Sequence, residues 1–459
     1  MRLTDIHQCE VRPGRLVEFT LSPATVAAAR ELPDDARPPA YIQESHLRTV
    51  RSAREEGSFL RTWLGVAFDL PGEVDLDALE AALQLWTLRH ETLRSGLREV
   101  GGVVRRFTLD ADAVALSRTV IGDFPDAEKL AGHLEARFGQ ATYALGWPNF
   151  LYAAVVRDES TSVYMVFDHS NVDGCSMLRI PGAVRALYES AAAGCGGEPV
   201  ADSSYVDFCE LERGDADRID AGHEAVVRWR EFIRRCGGAM PNFPLELGLG
   251  AGPRMPEQRV TSGMVVDADT AEAFEALCRP YGGGIVGYLA ATSLAVQEIN
   301  PTDVFRTVVL FHTRAKSRWS DSVGWYVGGV PVEIPCARPS SFPDALATVR
   351  GALRANRFLA RIPLARVMHL LGDEFDMASS EHVSLSYLDG RDTPGSEGWE
   401  EQRVYGLGGV TCGDKVGVWI NRVHEGVWLA CRYPDTAVAD KSMRQYAERM
   451  RDILLTAIS

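Results

Sequence analysis

Val163-Tyr164-Met165-Val166-Phe167-Asp168-His169-Ser170-Asn171-Val172-Asp173-Gly174 is the stretch from which the rest of the chain is read. Five apolar residues in a row read as a strand buried on both faces, and the polar residues after them end it. One imidazole, His169, therefore stands at a strand end, and an Asp-Gly pair follows four residues on. Gly174 lets a substrate approach the backbone closely. This is the layout of an enzyme that takes a proton from an attacking alcohol or amine without supplying a nucleophile of its own.

Working outward, Phe150 to Val156 and Thr161 to Asp168 read as adjacent strands of a hairpin. A helix begins near Gly174 and carries Leu178, Val184 and Leu187 inward. Leu16 to Leu21, Leu60 to Leu70 and Val103 to Leu109 read as further strands. Asp75 is an N-cap for a helix with Leu76, Leu79, Leu83 and Trp86 at helical spacing, and Asp126 to Gln140 is a second such helix. In the second half, Gly282-Gly283-Gly284 leads into a helix from Ile285 to Ile299, a strand follows from Val304 to His312, and Asp440 to Ile458 is an amphipathic helix. This mixture predicts an α/β (α+β) sandwich rather than a parallel dinucleotide-binding sheet. No Gly-x-Gly-x-x-Gly follows a strand, and no phosphate-binding Gly-Lys-Ser/Thr loop is present.

Ala191-Ala192-Ala193-Gly194-Cys195-Gly196-Gly197-Glu198-Pro199 reads as a linker. It predicts an N-terminal lobe over 1–190, a hinge over 191–204 and a C-terminal lobe over 205–459, a division that suits a chain of 459 residues. A formal charge of −15 argues against nucleic acid or an anionic membrane as the main partner. No apolar run is long enough for a membrane helix or a signal peptide. Nine scattered cysteines without a Cys-x-x-Cys pair predict neither disulfides nor zinc, and place the protein in a reducing cytoplasm. The ten histidines show no His-x-x-x-His spacing, so no metal is implied.

Five short motifs, taken together and in this order, resemble the condensation-domain superfamily: nonribosomal peptide condensation domains and their free-standing acyltransferase relatives. They are Ala40-Tyr41-Ile42-Gln43-Glu44, Arg89-His90-Glu91-Thr92-Leu93-Arg94, His169 to Gly174, Tyr205-Val206-Asp207-Phe208, and Val323-Gly324-Trp325-Tyr326-Val327-Gly328-Gly329-Val330-Pro331. The resemblance implies two chloramphenicol-acetyltransferase-like lobes in a V, facing each other across a tunnel that donor and acceptor enter from opposite ends. It is strongest to discrete condensation enzymes of actinobacterial natural-product pathways, including enediyne side-chain attachment, and to mycobacterial polyketide acyltransferases. The chain departs from the family's paired histidines, because Asp168 replaces the first. Asp168, Asp173 and Ser176 also satisfy the Asp-x-x-x-x-Asp-x-x-Ser pattern of heterocyclising relatives.

The expected reaction is acyl transfer from an activated thioester. His169 is the expected proton acceptor, and the Gly174 backbone N–H, at a helix start, the expected oxyanion donor. The resemblance implies that Asp173 is structural and pairs with an arginine on a neighbouring strand, for which Arg314 is the candidate. Asp168 is expected to hydrogen-bond its own loop rather than act as a second base. Cys175 is expected to be a small buried hydrophobe rather than a nucleophile. Trp325, Tyr326, Ser386 and Tyr387 are candidate substrate contacts. No permanently bound cofactor is expected. The donor would be an acyl or aminoacyl group on the phosphopantetheine arm of a carrier protein, or on coenzyme A, and the acceptor a small alcohol or amine, with ester formation favoured. Three alternatives stay open at this point: a coenzyme A-dependent acyltransferase of a lipid or polyketide pathway, a heterocyclising enzyme, and a non-catalytic module that recruits a carrier.

Overall fold

The computed structural model describes residues 1–57, 59–195, 203–250, 255–314, 317–336, 341–375 and 384–459. Part of the expected hinge, 196–202, lies outside the described residues. The strands of the first half are β1 (Arg2–Thr4), β2 (Gly14–Leu21), β3 (Trp63–Pro71), β4 (Ser95–Val100), β5 (Val103–Thr108), β6 (Leu116–Phe124), β7 (Phe150–Val156) and β8 (Ser160–Asp168). Those of the second are β9 (Gln258–Asp267), β10 (Val304–His312), β11 (Val327–Pro335), β12 (Ser384–Asp389), β13 (Tyr405–Gly408), β14 (Gly417–Val423) and β15 (Gly426–Pro434). They build a seven-stranded sheet in the order β1-β13-β3-β8-β7-β2-β6, a six-stranded sheet in the order β11-β10-β12-β14-β15-β9, and the hairpin β4-β5. The architecture is the mixed α/β one read from the sequence.

In the first sheet β8 is central, antiparallel to both β3 and β7, and every residue from Thr161 to Asp168 is buried. That burial on two faces is why the run is continuously apolar rather than alternating. Helices Leu76–Arg89 and Gly174–Ala192 pack on one side, with Trp86, Phe167 and Ile180 in the shared core. Helix Ala127–Ala141 covers the other side through Leu130, Leu134 and Phe138. Fully burying a side chain of this size stabilises by about 1.5–3 kcal/mol. Asp75 and Asp126 cap their helices by accepting from Asp77 and Ala78 N–H, and from Lys129 N–H.

The second sheet is covered on one face by helices Ala268–Cys278, Gly284–Ile299, Phe342–Asn356 and Ala437–Ile458. Helices Glu224–Arg235 and Leu364–Leu371 cover only the β10–β11 end of its other face, through Trp229, Val308 and Val367. The halves of the chain are not separate in space. β13 returns from the second half to complete the first sheet, antiparallel to β3 and parallel to β1. Among the described residues no helix is long and apolar enough to cross a membrane.

Candidate active site

His169 is the first residue beyond β8, and its backbone N–H donates to Thr62 O at 3.0 Å. Its ring Nδ1 lies 2.9 Å from Val172 O. A carbonyl can only accept, so in the neutral ring Nδ1 carries the proton and Nε2 keeps a free lone pair. The Trp325 indole stacks on the imidazole, with centroids 4.1 Å apart and planes 27° from parallel. Burial, reinforced by nearby His46, holds His169 below its ordinary value of 6.5, which favours the neutral base. Part of its surface remains accessible.

Asp173 is the N-cap of helix Gly174–Ala192 and accepts from Ser176 N–H at 2.7 Å and Ser176 Oγ at 2.8 Å. Arg314, two residues past the end of β10, donates to its carboxylate through Nη1 at 2.7 Å and Nη2 at 3.0 Å; Tyr326 N–H adds a bond at 2.9 Å. Burial would raise the Asp173 carboxyl. The Arg314 charge and these hydrogen bonds outweigh it and hold the group below its ordinary range. Every acceptor direction of Asp173 is spent on structure, and His169 bonds to Val172 instead. This is no catalytic triad.

Asp168 has a partner that sequence reading missed. It is fully buried, and His46 Nε2, on helix Tyr41–Glu55, lies 3.1 and 3.2 Å from its two oxygens. Thr62 Oγ1 donates at 2.7 Å and Ser170 N–H at 3.0 Å. Again burial acts upward on the carboxyl and its partners, His46 first, bring it below the usual range. The bond to Ser170 is the local one expected; the bond to His46 spans 122 residues and no spacing announces it. His46 also meets the edge of Trp325, at 5.4 Å between centroids. Trp325 thus lies against both imidazoles.

The separate motifs converge on this loop. Gln43 donates to Ser170 O at 2.9 Å, Thr92 Oγ1 to Asn171 Oδ1 at 3.3 Å, and Tyr205 Oη to Trp325 O at 3.1 Å. Glu91 and Asp207 both hold Arg37. Gly174 opens the helix, and a Cβ there would lie 3.0 Å from Leu388 Cδ1, so β12 abuts the motif. Ser386 shares the face of Leu388, two residues along the strand.

Two expected substrate contacts are corrected. Tyr326 is fully buried among Tyr205, Phe208 and Trp319; its hydroxyl bonds Ser322 Oγ at 2.7 Å and its ring lies 4.2 Å from Arg314. Tyr387 points to the opposite face of β12, stacking on Tyr288 and bonding Glu275 Oε1 at 3.3 Å. Cys175 is only partly buried, but burial beside Asp173 raises its thiol to about 12, far from a reactive thiolate. Among the described residues no three His, Cys, Asp or Glu side chains are grouped to hold a metal. Two surface cavities, of about 200 Å³ beside Arg228, Arg235 and Glu333, and about 500 Å³ beside Gly14, Asp123 and Arg157, contain none of these residues.

With this geometry in place, the chain matches the Condensation domain family over residues 62–400. It is 26% identical over 470 residues to trehalose-2-sulfate acyltransferase PapA2 of Mycobacterium tuberculosis (strain ATCC 25618 / H37Rv), covering 99% of this chain and 96% of that protein. It is also 26% identical over 384 residues to the Mycobacterium bovis (strain BCG / Pasteur 1173P2) 2'-acyl-2-O-sulfo-trehalose (hydroxy)phthioceranyltransferase PapA1, covering 81% of this chain and 71% of that protein. A solved PapA2 acyl transferase superposes with a TM-score of 0.89 at 22% identity, covering 100% of both chains. The protein belongs to the condensation-domain family and is an acyltransferase of that fold.

Proposed function

We propose that the enzyme transfers an acyl group from a thioester to the hydroxyl of a small acceptor, forming an ester. The observation that carries this is His169, whose Nδ1 is tied to Val172 O so that Nε2 is the free proton acceptor. As the acceptor oxygen attacks, its proton passes to Nε2 and the new C–O bond forms. The Gly174 N–H, at the first position of its helix, stabilises the oxyanion. The C–S bond then breaks and the departing thiolate takes the proton from the imidazolium. An ester is favoured over an amide because the PapA2 and PapA1 relatives carry names of acyl transfer to sulfated trehalose.

The donor is proposed to arrive on a carrier-protein phosphopantetheine arm, with acyl-coenzyme A as the second reading. Incubating the enzyme with each donor and a panel of alcohols and amines, read by intact-protein mass spectrometry, decides between them. Turnover that survives His169→Ala would overturn the proposed base. Heterocyclisation is disfavoured because it calls on Asp168 and Asp173, and both carboxylates are buried and fully bonded to His46 and Arg314.

A further inference from the structure

Asp168, His46, Trp325 and His169 close a circuit of side chains. Among the described residues His46 is the one ionisable partner of buried Asp168, with Nε2 3.1 and 3.2 Å from the two carboxylate oxygens. An ionised carboxylate only accepts, so His46 Nε2 carries a proton and donates. Thr62 Oγ1 at 2.7 Å and Ser170 N–H at 3.0 Å are the other donors to this carboxylate. The His46 ring stands nearly perpendicular to the Trp325 indole, at 86° and 5.4 Å between centroids. The indole stacks in turn on His169, which follows Asp168 directly in the chain. The circuit begins and ends where β8 does.

Within it the indole depends on His46. The backbone around Trp325 is tied independently: Gly324 to Ser176, Trp325 O to Tyr205 Oη at 3.1 Å, and Tyr326 N–H to Asp173 at 2.9 Å. The side chain is held otherwise. Trp325 is half-buried, and among the described residues the only rings that meet its indole are those of His169 and His46. Taking away the His46 ring frees one side of the indole, and an indole free to turn no longer holds the imidazole. It also leaves Asp168 as a buried carboxylate beside the base with neutral donors only.

We propose that His46 is a positioning residue for acyl transfer: anchored by Asp168, it holds Trp325 against the His169 ring and so aims Nε2 at the acceptor's proton. The assignment deepens the acyl-transfer reading and rests on it for the role of His169. A histidine kept only for packing would bear on stability alone, whereas His46 also bears on the protonation of the base. The ionisable groups around the His169 ring are His46 on helix Tyr41–Glu55, Asp168 at the end of β8, and Asp173 at the start of the next helix, gripped by Arg314. His46 acts to lower the His169 imidazole, and the two carboxylates act to raise it. Without His46 the balance tips toward the carboxylates, and protonation of His169 moves to higher pH.

The test compares the intact wild type with His46→Ala and His46→Gln, where glutamine keeps an N–H for Asp168 but not the ring. Expected in both variants are a kcat lowered by up to about 10²-fold and little change in KM for donor or acceptor. The His169 titration, followed by NMR of protein carrying isotope-labelled histidine, is expected to move to higher pH in both. His46→Gln is expected to melt closer to wild type than His46→Ala without recovering kcat. In a Trp325→Leu background the loss of His46 is expected to lower kcat no further, because the path between the two imidazoles is already gone. A His46→Gln variant with native kcat, or with an unmoved His169 titration, overturns the proposal. So does a His46→Ala variant that is less stable yet turns over normally when folded, and so do losses that multiply in the double variant. The NMR arm needs no turnover: a wild type that transfers no acyl group, beside variants with a displaced titration, would sink the reaction and leave the hold of His46 on His169 standing.

Discussion

At His169 one ring nitrogen is committed to Val172 O, which leaves the other as the proposed proton acceptor. Replacing His169 with alanine is expected to lower kcat/KM by about 10²–10⁴-fold with little change in melting temperature, read by steady-state kinetics and a thermal melt. Because burial holds its imidazole below 6.5, the proton-accepting form persists at that pH. The acid limb of kcat/KM is therefore expected to bend below pH 6.5 in a pH–rate profile. The same depression means that the unfolded chain binds this proton more readily, so the group erodes stability as pH falls through 6.5. Asp168 and Asp173 act at lower pH. Both carboxyls sit below their ordinary range, so the stability they add is present above about pH 4 and lost as pH falls through their folded values. Asp173→Ala leaves Arg314 buried without a counter-charge, at a cost of about 3–5 kcal/mol. Denaturant melts are expected to show that loss; an unchanged midpoint would mean the pair is not structural.

Among the elements, the turn before β11 joins the two lobes. Ser176, in the first turn of helix Gly174–Ala192, donates to Gly324 O at 3.0 Å and accepts from Gly324 N–H at 3.2 Å. A Cβ on Gly324 would stand 2.3 Å from Tyr205 Cγ, so the glycine is required by the close approach of helix Tyr205–Ala216. Gly324→Ala is expected to destabilise by about 1–3 kcal/mol through overpacking. It should also weaken turnover by moving Trp325 off the His169 ring, visible as a change in tryptophan fluorescence. Many strands and helices were legible from periodicity: β7, β8, β10 and the helices capped by Asp75 and Asp126 lie where their apolar patterns put them. The turn's partners were not, because Tyr205 and Ser176 lie more than a hundred residues from Gly324 and carry no local sign of the contact.

For the whole molecule, the return of β13 to the first sheet couples the lobes. Residues 1–195 alone would leave β3 without its β13 neighbour and Asp173 without Arg314. That fragment is expected to aggregate and melt without a cooperative transition, whereas co-expression with 203–459 restores one; gel filtration and circular dichroism read the difference. From its residues alone the chain determined a buried strand ending in a histidine, a helix starting at an Asp-Gly pair, and an α/β class, since each follows from short-range periodicity and capping. The five ordered motifs added the family. Only the tertiary structure set His46 against Asp168 and turned Tyr326 and Tyr387 away from the site. Those relations join segments far apart in the chain, and burial and strand register, not local spacing, create them.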